Sequence, residues 1–255
     1  MAATTPRRAT LPFVHRPGAR DQPLKGSGIV ARPLPRPITL PSATSTIIFD
    51  LGGVLVDWNP RHLYKEVFRD DARMESFLAE ACTHEWIREM DAGKSFEQAV
   101  RERIQRFPRY AMPLGLWRTS WAKTIRGPIE ESVTALNELA QGKRRLVALT
   151  NWSAETFPYA RQRFDFLSLF EDILVSGEHG LAKPDHAIFR LACERWNIRP
   201  QESLFIDDSA ANIQAARDLG FECIHFLGPS ALVASLHQMG LLPPAQLGSV
   251  TGATK

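Results

Sequence analysis

Thr46-Ile47-Ile48-Phe49-Asp50-Leu51-Gly52-Gly53-Val54-Leu55-Val56-Asp57 is the stretch on which the fold turns. A short apolar run reads as a buried strand. It stops abruptly at a carboxylate, and a Gly-Gly turn follows. In open parallel sheets ligands bind outside the carboxyl ends of the strands, and glycine lets backbone approach a ligand with no Cβ in the way. Asp50 therefore stands where a nucleophile for a phosphorus or carbon centre would stand. An acid after a strand also serves as a helix cap or turn residue, so the reading depends on whether other strands end the same way.

Three others do. Arg145 to Leu149 reads as a strand ending in Thr150-Asn151-Trp152-Ser153. Asp172 to Val175 reads as another, followed by Ser176 to Ala182 and then Lys183-Pro184-Asp185 at a helix start. Ser203 to Ile206 ends in Asp207-Asp208-Ser209-Ala210-Ala211-Asn212. A helix over 210–219, closed by Gly220 as a left-handed cap, leads to a fifth strand over 221–227. Strands alternating with helices imply a parallel sheet with right-handed crossovers.

About 95 residues separate Asp50 from the second strand, far more than a crossover helix requires. Apolar positions at helical spacing predict helices over 61–69, 73–82, 84–91, 95–106 and 114–124. Asp91 to Ser95 reads as a break between two of them; it lacks the flanking strand and second glycine of a phosphate loop. Pro128 is expected in the first turn of a helix reaching about Ala140, where its missing N–H costs nothing. The expected class is thus α/β, a Rossmann-like parallel sheet core with an inserted all-α cap. Residues 46–59 and 127–240 form the core, 60–126 the cap and 241–255 a flexible tail.

Composition excludes several alternatives. A chain of 255 residues with 44% hydrophobic content can bury one core and a modest insertion. The longest apolar runs fall far short of the roughly 20 residues that cross a bilayer, so no membrane role is expected. Cys82, Cys193 and Cys223 are odd in number and widely spaced, reading as reduced thiols of a cytoplasmic protein. Residues 1–45 hold seven basic residues against Asp21, a local charge of +6, so the remainder is −3 within the net +3. This Pro-rich segment reads as a disordered basic extension. Its prolines interrupt the amphipathic helix of a transit peptide, and without interleaved aromatics no nucleic acid is expected as partner.

Asp50, Thr150, Lys183 and the Asp207-Asp208 pair, in that order, resemble the four motifs of the haloacid dehalogenase (HAD)-like hydrolase superfamily, specifically its phosphatase branch with a small helical cap. The resemblance spans about residues 46 to 228. It implies a Mg²⁺-dependent phosphatase that hydrolyses a small phosphate monoester, such as a sugar phosphate, through an aspartyl-phosphate intermediate. Asp50 would be the nucleophile, and Lys183 would neutralise charge beside it. Asp50 and Asp208 would offer carboxylates to the metal and Gly52 its carbonyl. Thr150, Asn151 and Asn212 would hold the phosphoryl group or support the site, with Asp207 orienting Lys183. The partner implied is a small phosphorylated metabolite; the oligomeric state stays open.

The sequence departs from that pattern at Gly52, where most of the phosphatase branch carries an aspartate that protonates the leaving group. Candidate substitutes are Asp57, His84, Glu85 and His179. Trp58 and Trp152 are the better candidates among the tryptophans to line a substrate pocket. Two other readings are a 2-haloacid dehalogenase, whose fourth motif usually lacks tandem acids, and a catalytically quiet HAD-fold binding or regulatory module, which Gly52 supports. The retained cluster of costly charges argues against the last.

Overall fold

The computed structural model describes residues 44–243. The basic extension falls almost wholly outside them, as does most of the expected tail. Strand β1 (Thr46–Phe49) is followed by a short strand β2 (Val56–Trp58). Five helices come next: α1 (Pro60–Tyr64), α2 (Asp71–Glu80), α3 (His84–Asp91), α4 (Phe96–Arg106) and α5 (Ala111–Ser120). Strand β3 (Ile125–Pro128) leads into α6 (Glu130–Ala140), β4 (Arg145–Thr150), α7 (Phe157–Arg163) and β5 (Asp172–Val175). The chain ends with α8 (His186–Trp196), β6 (Ser203–Asp207), α9 (Ala210–Asp218), β7 (Glu222–His225) and α10 (Pro229–Gln238).

Five strands form a parallel sheet in the order β5-β4-β1-β6-β7, so β1 lies at the centre. Its side chains alternate between two cores, as the pleat requires. Ile47 and Phe49 pack on one face with Leu136, Leu139, Leu232 and Leu236 of α6 and α10. Ile48 packs on the other with Ile188, Phe189 and Ile213 of α8 and α9. The first core continues into the helical insertion, where Tyr64, Phe77, Trp86 and Trp117 are fully buried. Most helices of the insertion begin at a side-chain cap: Asn59 accepts from the Arg61 N–H, Asp70 from Ala72, Thr83 from Trp86 and Ser95 from Gln98.

Three expectations need correction. Pro128 ends β3 rather than opening a helix; β3 pairs antiparallel with β2, and α6 begins at Glu130. A proline's fixed φ suits an edge strand as well as a helix start, and a two-stranded edge pair has no need of its N–H. The helix expected over 114–124 runs from Ala111 to Ser120, because Pro113 falls in the first turn where it is tolerated, and Trp121–Thr124 tighten into a 3₁₀ turn. The helix expected over 61–69 is regular only to Tyr64.

Candidate active site

Parallel pairing places every motif on one edge of the sheet. Phe49 is level with Ala148 of β4 and Ile206 of β6. One residue further on, Asp50, Leu149 and Asp207 therefore share a row. The Lys183 ammonium reaches all three, 3.0 Å from Asp50 Oδ1, 2.8 Å from Asp207 Oδ2 and 2.7 Å from the Leu149 carbonyl. An ammonium has three N–H donors, and all are engaged. Burial alone would lower the Lys183 pKa; Asp207 and Asp50 more than reverse this and hold it above the ordinary value.

Asp207 is fully buried and saturated. Its Oδ1 accepts from the Ser209 N–H at 2.8 Å and from the Asn212 amide at 2.9 Å, while Oδ2 accepts from Lys183. Although the acidic atoms of Asp50, Asp207 and Asp208 lie within 4.8 Å of one another, Asp207 has no lone pair to spare for a cation. Asp50 and Asp208 do. Burial raises the Asp50 pKa, with Lys183 opposing and Asp207 and Asp208 adding to the rise. Asp208 is raised by its surroundings and by Asp207, with Lys183 opposing. Asp50 and Asp208 offer oxygen ligands that could hold a hard cation such as Mg²⁺, and Gly52 lines the same cavity.

Gly53 shows how tightly this corner is built. Its φ is +75°, and a Cβ there would lie 2.3 Å from Asp208 Oδ2, so only glycine fits. Nothing lies within 4 Å of a Cβ placed on Gly52.

Thr150 Oγ1 is buried with no hydrogen-bond partner among the described residues, one residue beyond the row of Asp50, Leu149 and Asp207. An orphaned hydroxyl of this kind costs free energy unless a ligand satisfies it. Asn151 is occupied differently. Its amide donates to the Lys183 carbonyl at 2.9 Å and accepts from the Lys183 N–H at 2.8 Å, clamping the lysine's backbone. Asn212, expected among the phosphoryl ligands, spends its amide on Asp207 and therefore positions that acid instead.

A cavity of about 760 Å³ opens over this row and runs into the helical insertion. Trp58, Trp117, Trp121 and Trp152 line it together with Ile87, Met90 and Phe96. Of the expected substitute acids only His84 reaches the cavity, exposed at the start of α3. Asp57 is bound to His62 at 2.8 Å, Glu85 is exposed, and His179 sits against Arg195. The lining residue that the sequence reading passed over as part of a helix break is Asp91. Its signal was an acid in the last position of a helix, where the macrodipole disfavours negative charge.

Comparisons with known proteins agree with this geometry. A sesquiterpene phosphatase of Aspergillus oryzae, astK, is 24% identical over 75% of this chain and 94% of its own length. A phosphoglycolate phosphatase of Nitrosospira multiformis is 29% identical over 71% of this chain and 82% of its own. Among solved structures, a HAD family enzyme of Bacteroides thetaiotaomicron in complex with magnesium and inorganic phosphate superposes with a TM-score of 0.54, 22% identity and 71% and 92% coverage. An L-2-haloacid dehalogenase of Xanthobacter autotrophicus with covalently bound chloropropionic acid shares the fold at a TM-score of 0.53, 13% identity and 78% and 84% coverage. The haloacid dehalogenase-like hydrolase model matches residues 44–220, most of the chain, and the protein belongs to that family of hydrolases.

Proposed function

We propose that this protein is a Mg²⁺-dependent phosphatase acting on phosphate monoesters with an apolar organic body. The observation that carries the reading is the pairing of Asp50 with Asp208 at adjacent strand ends while the third acid, Asp207, is spent on Lys183. Attack on carbon by a single aspartate has no use for a second acid facing it; a divalent cation does. The phosphatase relatives support the same reading.

Asp50 Oδ1 is pinned by Lys183 and by the Leu51 N–H at 2.7 Å, which leaves Oδ2 for in-line attack on phosphorus. An aspartyl-phosphate forms and water hydrolyses it. Lys183 spreads positive charge over the reacting oxygens, and the Thr150 hydroxyl and Asn151 backbone N–H hold the phosphoryl group. Asp50, Asp208 and the Gly52 carbonyl would hold Mg²⁺, which supplies Lewis-acid stabilisation of the phosphoryl charge. The tryptophan-rich wall would take the organic part of the substrate, since aromatic faces bury apolar area at little entropic cost. The unpaired Cys82, Cys193 and Cys223, and the lack of any helix among the described residues long and apolar enough to span a membrane, support a cytoplasmic setting.

Phosphate release from p-nitrophenyl phosphate and a panel of alkyl, prenyl and sugar phosphates, with and without Mg²⁺, tests the reading. We expect Mg²⁺-dependent turnover, faster on apolar esters, that falls by about 10⁴-fold or more in Asp50→Asn. No release from any ester, with chloride release from 2-haloacids, would replace the phosphatase with the dehalogenase reading.

A further inference from the structure

This inference rests on the phosphatase reading. Breaking the P–O bond of an ordinary alkyl phosphate expels an alkoxide, which needs a proton as it leaves. Seven titratable groups that could carry one line the cavity: Asp50, Glu75, Cys82, His84, Asp91, Lys183 and Asp208, of which Lys183 has all three N–H donors engaged. Asp50 is the nucleophile and Asp208 shares its cation. Glu75 is exposed and paired with Arg61 at 2.5 Å. Burial pushes the Cys82 thiol up to about 12, too weak an acid. His84 opens α3 and Asp91 closes it, so about 10 Å of helix separates them at 1.5 Å per residue. The Asp91 end is the one hydrogen-bonded to the loops at the sheet's edge.

That end is fixed. The Asp91 carbonyl accepts from the Ser176 hydroxyl at 2.6 Å, and Ser176 in turn accepts from the Trp152 N–H at 2.9 Å, next to Asn151. Two residues further on, Gly93 turns left-handed at φ +96°, so close to the core that an added Cβ would lie 3.3 Å from the Gly177 carbonyl. The core also caps the next helix, since Glu155 accepts from the Phe96 N–H at 2.9 Å. These bonds hold a carboxyl at the cavity wall, on the last residue of a helix whose dipole opposes it.

We propose that Asp91 is the general acid of the reaction. Its proton passes to the bridging ester oxygen as the Asp50 oxygen–phosphorus bond forms and the ester P–O bond breaks. Water then hydrolyses the aspartyl-phosphate, giving back the Asp50 carboxylate with hydrogen phosphate and a proton, and solvent reprotonates Asp91. Burial pushes the Asp91 carboxyl up to about 7, with the Lys183 charge and the Ser153 N–H opposing. The acid thus keeps a proton close to neutral pH. Besides Lys183, the exposed Arg88 of α3 lines the same cavity; the remaining charged groups on the packed elements are engaged elsewhere or exposed. Lys94 binds Glu89 and Glu102, Arg103 binds the Ala81 carbonyl, and Glu97, Arg101, Arg106 and Glu178 are exposed.

The test compares leaving groups. Wild type, Asp91→Asn and Asp91→Glu are assayed with Mg²⁺ on an n-alkyl phosphate, which needs the proton, and on p-nitrophenyl phosphate, whose phenolate leaves without one. Circular dichroism checks that each variant is folded. We expect Asp91→Asn to lose about 10²- to 10⁴-fold in kcat on the alkyl ester and far less on the nitrophenyl ester. The fall in alkyl-ester kcat above about pH 7 should vanish with it, and Asp91→Glu should recover part of the rate. Equal losses on both esters, or none on the alkyl ester, overturn the proposal while leaving an active phosphatase. A wild type inactive on both overturns the phosphatase reading and this proposal with it.

Discussion

The floor of the cavity and its roof are built on opposite principles. On the floor, Lys183, Asp50, Asp207 and Asn212 form a dry polar network in which nearly every donor has a partner. In the roof, the buried mass is aromatic: Tyr64 lies edge-on to Phe77 at 4.7 Å, and Trp117 is tilted against Trp86 at 5.6 Å and stacked with Phe96 at 6.5 Å. Apart from the cavity-lining Asp91, its charges are mostly exposed, in pairs such as Arg61–Glu75 and Lys123–Glu66 that solvent screens. The floor is thus fixed by hydrogen-bond geometry and holds the reacting centre; the roof is fixed by volume and shapes the substrate space, Asp91 being the one group it lends to the chemistry.

Three experiments can break or sharpen that contrast. The largest effect is expected for Lys183→Met, which leaves Asp50 and Asp207 buried without their cation; removal of one partner of a buried pair costs about 3–5 kcal/mol, and activity should vanish. Urea denaturation checks it, and adding Asp207→Asn should return part of the stability. An unchanged midpoint for Lys183→Met would mean the floor is not held by its charges.

Trp117→Ala comes next. It empties a fully buried site and should cost about 3–5 kcal/mol, but its kinetic signature should be a raised KM for bulky esters with kcat on p-nitrophenyl phosphate changed little. A kcat loss as deep as that of Asp50→Asn would erase the division of labour. The smallest effect concerns pH. Asp50, Asp91 and Asp208 are all raised, so the folded, metal-free protein keeps protons that the unfolded chain has given up. Their contribution to stability therefore falls as pH rises from about 4 to about 8. The urea midpoint without Mg²⁺ should be lower at about pH 8 than at about pH 5, and Mg²⁺ should remove most of the difference. A metal-free midpoint that rises with pH would contradict the crowding of acids on the floor.

The floor was legible in the sequence because its information is local. Each of Asp50, Thr150 and Asp207 follows an apolar run that can only be a buried strand, and parallel pairing brings such ends together whatever the helices do. Asp91 was not legible, because its position depends on Ser176 and Gly177, more than 80 residues away, which pin α3 to the core. The β2–β3 pair was missed for a related reason. Three or four residues carry too little alternation to be read as strands, and the Trp58–Ile125 pairing exists only once the insertion has closed on itself. The substitution of function at Gly52 was legible as an absence, and only the folded cavity shows which carboxyl stands nearby.

That small antiparallel pair has a consequence for how such a molecule can change over time. Because the chain leaves through Val56–Trp58 and returns alongside through Ile125–Pro128, everything between these strands is an excursion that begins and ends at one place. Its length and content can be rewritten without shifting a single register in the five-stranded sheet, and closing a loop of different length costs little, about 0.6 kcal/mol per doubling. Selection can then retool the specificity of the enzyme as a cassette, while the sheet-borne row of Asp50, Lys183 and Asp207 is inherited untouched.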